Sequence, residues 1–123
     1  MNAFIYYNLH RHVWSIKALE GPKSGLVIAH ADNVYLKDAI GSVSEKGRQR
    51  VLRERSKNVH AGIVGELIAY TDGPTEAGDL GFPGLTEVTY NPYKYSTFVY
   101  KDTEEEYCGS EIAVLSFKKV YTL

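Results

Sequence analysis

The sequence predicts an α+β domain, a mostly antiparallel β scaffold that carries one main basic helix over about residues 44–57. Three observations predict it. Apolar and β-branched residues recur at every second position along most of the chain, the period of half-buried strands. A three- to four-residue apolar period appears once, near Ser44, inside a run of helix formers. Tyrosine dominates the aromatic residues, ten against four phenylalanines and one tryptophan, and tyrosine favours strands and wet interfaces. At 123 residues, 44% hydrophobic and 24% charged, the chain fits a single domain over 1–123, since domains cluster near roughly 100–150 residues.

The elements follow in order. Trp14, Ile16 and Ala18 alternate within Val13–Leu19 and predict the first strand. Glu20–Gly25 breaks it as a turn. Leu26–Ala29 and Asn33–Lys37, with Val34 and Leu36 on one face, continue it as a small antiparallel meander. At Ser44 the period changes: its hydroxyl is placed as an N-cap ahead of Arg48–Arg55. Ile40, Val43, Gly47 and Val51, with Leu52 beside them, give that helix a narrow core-facing stripe. Val59–Tyr70 returns to strand, with Val64 and Ile68 on one face and Ile63 on the other. Gly62 and Gly65 within it mark a bulge or a close backbone approach. Thr71–Gly84 is too rich in Gly and Pro to be regular, and its length suits a binding loop. Thr86–Tyr90, Tyr95–Tyr100, Glu111–Phe117 and Lys119–Leu123 complete the strands, and Asp102–Glu106 is a solvated hairpin connection.

Net charge is −1 and the pI near 6.4, which excludes coating of DNA or an anionic membrane by overall charge. Cys108, the single cysteine, cannot form an intramolecular disulfide and fits a reducing cytosol. No signal peptide opens the chain and no apolar run approaches the roughly 18 residues of a membrane span, so a soluble intracellular protein is expected. The motifs of serine hydrolases, P-loops, zinc proteases and dinucleotide-binding turns are absent. His10 and His12, placed before the first strand, form either a metal-ligating pair or a solvated one. Cys108 stands beside an acidic run that raises a thiol pKa. The sequence therefore predicts binding without turnover, with no metal and no cofactor.

Charge is uneven. Between Ser44 and His60 six cations face two carboxylates, a local +4 that leaves −5 for the rest. On helical spacing Arg50, Arg53 and Lys57 share a face, with Arg48 and Arg55 on adjacent ones. Guanidinium forks suit phosphate oxygens; the alternative is a solvated face with an Arg50–Glu54 pair. Tyr90-Asn91-Pro92-Tyr93-Lys94-Tyr95, followed by Phe98 and Tyr100, is either a hairpin corner or an amide donor-acceptor flanked by rings for stacking. Phe82, held between Gly81 and Pro83-Gly84, is a core plug or an exposed platform for a base. His60 either closes a backbone hydrogen bond or contacts a phosphate or hydroxyl. The candidate ligand residues are thus Arg48, Arg50, Arg53, Lys57, His60, Phe82, Asn91, Tyr93 and Lys94.

Val27-Ile28-Ala29-His30-Ala31-Asp32, Val43–Leu52 running on to Lys57-Asn58-Val59-His60-Ala61, and Thr89-Tyr90-Asn91-Pro92-Tyr93-Lys94 together resemble a known family. From about Trp14 to Phe98 the chain is similar to the first-described type of phage Thoeris anti-defence sponges, which sequester the cyclic ADP-ribose isomers made by bacterial TIR-domain enzymes. The resemblance implies a homo-oligomer without catalysis, built from dimers and in some members hexamers, that holds its nucleotide signal between protomers in the cytoplasm of the infected host. It implies pocket positions at Phe82 and Asn91. Some relatives also bind cyclic trinucleotides at a separate site, for which the charge of Arg48–Lys57 would make a suitable wall, although Ser56 stands where a further basic residue is expected. The physics suits a sponge: cations for a diphosphate, an aromatic face for adenine and an amide for ribose. Nanomolar capture corresponds to about −12 kcal/mol, which favours a pocket closed by a second copy. The rival expectation is a small phage protein that binds nucleic acid or a host protein through the basic helix.

Overall fold

Alternation begins at the N-terminus, earlier than the sequence analysis placed it. In this computed structural model, which describes residues 1–55, 61–73 and 84–123, the first strand is β1, Asn2–Asn8, with Ala3 and Ile5 fully buried. It pairs antiparallel with β2, Val13–Ala18, where Trp14, Ile16 and Ala18 are buried as their spacing predicts. Asn8 closes the hairpin: its Oδ1 accepts from the backbone N–H of His10 and of Arg11, each at 3.0 Å, and its carbonyl accepts from His12 at 2.8 Å. His10 and His12 are therefore exposed residues of a hairpin loop, after the first strand and not before it.

The remaining elements are β3 (Val27–Ala31), β4 (Asn33–Val43), α1 (Glu45–Glu54), β5 (Ala61–Thr71), β6 (Thr86–Thr89), β7 (Val99–Tyr100), β8 (Ser110–Ser116) and β9 (Lys119–Thr122). Among the described residues the strands form one antiparallel sheet in the order β3-β2-β1-β5-β4-β8-β9-β6-β7. The expected meander stops at β3. Only Asp32 separates β3 from β4, yet the two stand first and fifth in the sheet, so the sheet curls until its first strand approaches its fifth. The core fills that curl: Ala3, Ile5, Trp14, Ile16, Val34, Leu36 and Ile63 belong to one buried cluster with Ala113, Leu115 and Val120 of β8 and β9.

The corner at Asp32 is fixed by polar side chains. Asp32 Oδ2 accepts from the Gly73 N–H at 2.8 Å. Fully buried Asn33 donates Nδ2 to the Gly73 carbonyl at 3.0 Å and accepts from the Ser116 hydroxyl at 2.7 Å. A second bend lies in β4 at Asp38, whose φ is +52° where the pairing with β5 shifts register. Close approach explains the strand glycines: a Cβ on Gly62 would lie 2.3 Å from the Ile5 carbonyl oxygen and 2.8 Å from the Phe4 ring. One on Gly65 would lie 3.0 Å from the Lys37 carbonyl.

The helix starts as Ser44 predicts, its hydroxyl accepting from the Gly47 N–H at 3.2 Å. It ends at Glu54, short of the expected residue 57, because Arg55 turns left-handed at φ +53° and its N–H bonds the Val51 carbonyl. Val51 is its buried residue; Ile40 and Val43, assigned from their spacing to the helical stripe, belong to β4 instead. A strand positions them alternately, and Ile40 is 51% exposed. Ile68 in β5 is likewise exposed while Ile63 enters the core. The strand expected over Tyr95–Tyr100 is confined to Val99–Tyr100, since 91–97 is spent on a turn and a bend. No helix among the described residues is long and apolar enough to cross a membrane.

Candidate functional site

The basic helix and the Asn91 turn, two separate features of the sequence, meet through one side chain. Arg48 Nε donates to the carbonyls of Pro92 at 3.1 Å and Tyr95 at 3.0 Å. Its Nη1 reaches back to Glu45 Oε1 at 3.1 Å, and Gln49 Nε2 donates to the same oxygen at 2.7 Å. The Gln49 bond is the main reason that the Glu45 carboxyl is held below its ordinary value, with Arg48 adding to it. The Arg48 side chain is 17% exposed, so its guanidinium serves the fold: it clasps α1 to the turn.

The turn is locally closed. Asn91 Oδ1 accepts from the Tyr93 N–H at 2.9 Å, and the Asn91 carbonyl accepts from the N–H groups of Lys94 at 3.1 Å and Tyr95 at 2.8 Å. This is the hairpin corner that Asn-Pro predicts. It leaves the Asn91 Nδ2 donor on an exposed residue, beside a Tyr93 ring that is 62% exposed. Lys94 is not a spare cation: its Nζ lies 2.6 Å from Glu104 Oε1 and 5.3 Å from the Tyr95 ring centroid. Tyr95 also donates its hydroxyl to Glu104. The Lys94 hydrogen bond, helped by that of Tyr95, keeps the Glu104 carboxyl below its ordinary value, and Glu104 raises Lys94. Behind the turn, Tyr90 stacks on Phe98 with centroids 5.2 Å apart. Burial raises the Tyr90 hydroxyl pKa, and the Arg48 charge opposes this.

Phe98, expected beside a stacking surface, is buried in the core, where Gly41 leaves room for its ring; a Cβ there would come within 2.9 Å. Tyr100 turns the same way and packs edge-on against buried Tyr107. Arg50 and Arg53 do not join Arg48. Helical spacing turns them, with Lys46, away from the buried Val51 side, and all three are exposed. Arg53 rather than Arg50 approaches Glu54, at 4.0 Å. Lys57, His60 and Phe82 lie outside the described residues, as does most of the Thr71–Gly84 loop. The structure thus brings together Arg48, Asn91, Tyr93 and Lys94, and separates Arg50 and Arg53 from them.

Sequence reasoning missed Glu104, which it took for part of a solvated acidic run, and Tyr90 as a partner of Arg48. Neither carried a sequence signal, since only folding brings residue 104 back over residue 94. Among the described residues no three His, Cys, Asp or Glu side chains are grouped to hold a metal ion.

The family model of the Mycobacterium phage L5 gene 82 protein matches residues 1–123. The gene 82 protein of that phage is 42% identical over 122 residues, which cover 94% of this chain and 90% of the relative. No solved structure matches the chain.

Proposed function

Since the chain belongs to the family of the Mycobacterium phage L5 gene 82 protein, and is therefore a phage protein, we propose that it is an anti-defence sponge that sequesters cyclic ADP-ribose-type signals without degrading them. One observation carries the reading. Arg48 holds the cationic helix and the Asn91–Tyr95 turn as one unit, which places the Asn91 amide donor and the exposed Tyr93 ring on a fixed support. An amide donor and an aromatic face suit ribose and adenine; the outward Lys46, Arg50 and Arg53 lie on a separate face and suit the phosphates of a second ligand. This surface is open within one protomer, so a second copy closes the pocket in a homo-oligomer, a dimer or a hexamer, acting in the cytoplasm of the infected cell. Phe82, Lys57 and His60 belong to the proposed site by their place in the sequence. A cyclic trinucleotide is the proposed second ligand, on the outward helix face.

Calorimetric titration with cyclic ADP-ribose isomers tests this. Asn91→Asp keeps the oxygen that accepts from Tyr93 but removes the amide donor, so it should weaken capture by up to about tenfold, the scale of one neutral hydrogen bond, with thermal stability retained. Phe82→Ala should weaken it as well. Unchanged titrations for both variants would remove the site. The exposed Lys46–Arg50–Arg53 face also suits a nucleic-acid backbone; binding that falls steeply with salt and is seen with oligonucleotides alone would favour that alternative.

A further inference from the structure

The turn from β2 to β3 leaves a cavity of about 670 Å³ beside the start of β1, within the roughly 300–1,000 Å³ range of small-molecule sites. Its walls are apolar, from Met1, Ala18, Pro22 and Ile28, and its two charged residues are Glu20 and Lys23. The turn is well braced. Gly25 takes φ +87° and its N–H bonds the Ala18 carbonyl at 2.7 Å, while Leu26 N–H bonds the Lys23 carbonyl at 3.0 Å.

The two charges are not equivalent. Glu20 Oε1 accepts from the Asn2 N–H at 2.8 Å and faces the Met1 ammonium at 3.7 Å, so its charge is already answered. Lys23 is exposed and makes no ion pair or side-chain hydrogen bond among the described residues. Of the apolar lining residues Met1 is 43% exposed and Ile28 partly so. This is apolar surface that a ligand could take out of water.

We infer that this cavity binds a small amphipathic anion, with an apolar body against Ala18, Pro22 and Ile28 and a single carboxylate or phosphate at Lys23. A nucleotide suits it poorly, because apolar walls would leave sugar hydroxyls and phosphates without partners. The site shares no residue with the Arg48–Asn91 surface and does not depend on the proposed function. Its ligand chemistry could come from a free acid or from an anionic lipid in a bilayer, and the free acid is the occupant argued here, since the open concavity has the volume of a small-molecule site and, at its edge, a single cation unpaired among the described residues.

The test titrates the full chain with decanoate by calorimetry and thermal shift, with decylammonium, acetate and phosphatidylglycerol vesicles as separate arms. Decanoate should bind saturably, one per chain, and raise the melting temperature with concentration. Decylammonium and acetate should not. Lys23→Glu alters an exposed position outside the core and should weaken decanoate about tenfold while leaving the unliganded melting temperature unchanged. Ile28→Trp should fill the cavity and abolish binding. No saturable binding of decanoate, equal affinity in Lys23→Glu, or binding to vesicles alone would overturn the inference.

Discussion

Asn33 shows how much one buried side chain decides. It joins the ends of β4, β5 and β8 through Ser116, Thr71 and Gly73, at the bend where the chain leaves β3. Asn33→Ala would remove the bond to the buried Ser116 and those to the part-buried carbonyls of Thr71 and Gly73, together costing on the order of 1–3 kcal/mol. A loss in that range is expected in urea unfolding, and one under about 1 kcal/mol would show that the corner holds without it. Arg48 is the second such residue. Arg48→Gln removes the one charged Nε donor that the two carbonyls share, with the Nη1 bond to Glu45, and should cost about 2 kcal/mol. It should also weaken ligand capture although, on this account, Arg48 never touches the ligand; a variant with lowered stability and unaltered capture would separate the clasp from the site.

At the scale of elements, the strands that alternate cleanly were legible. Val13–Leu19, Glu111–Phe117 and the Ser44-capped helix all form close to where their patterns put them, because local periodicity and capping decide them. Ile40 and Val43 misled: a spacing of three puts both on one helical face, but β4 runs in regular register from Ile40 to Val43 and sets them on opposite faces. β1 was passed over although Ala3, Ile5 and Tyr7 alternate there. The Asn91 corner was legible from Asn-Pro, but its ties to Arg48 and Glu104 were not, since each spans a distance along the chain that only folding closes.

The Lys94–Glu104 pair makes the turn pH-sensitive. Glu104 titrates lower in the folded state, so its contribution is present above the ordinary glutamate value of about 4.3 and is lost as pH falls through the folded value. Lys94 titrates higher, so its contribution is present below about 10.4 and is lost as pH rises through the folded value. Chemical shifts of Lys94 and Tyr95 should stay constant at neutral pH and move at both extremes. Glu104→Gln should remove the acid transition, and an acid transition that persists in that variant would assign it elsewhere.

For the molecule as a whole, the near-zero net charge conceals a division. The helix presents Lys46, Arg50 and Arg53 to solvent while carboxylates such as Glu87, between Lys101 and Lys119, are tied up in surface ion pairs. Overall neutrality is therefore compatible with an anionic ligand. The antiparallel sheet and the helix α1 were legible from composition and period; the curl that brings β3 round towards β4 was not, because it depends on Asp32 and Asn33 meeting Gly73 and Ser116. A sponge needs no reacting group, only a fixed surface and a second copy to close it. The most direct measurement incubates the purified chain with a cyclic ADP-ribose isomer, quantifies free ligand by chromatography, then denatures the protein by heat and quantifies it again. The account predicts that free ligand falls in proportion to protein and returns chemically unchanged on heating; free ligand that never falls, or that returns as a different product, would contradict it.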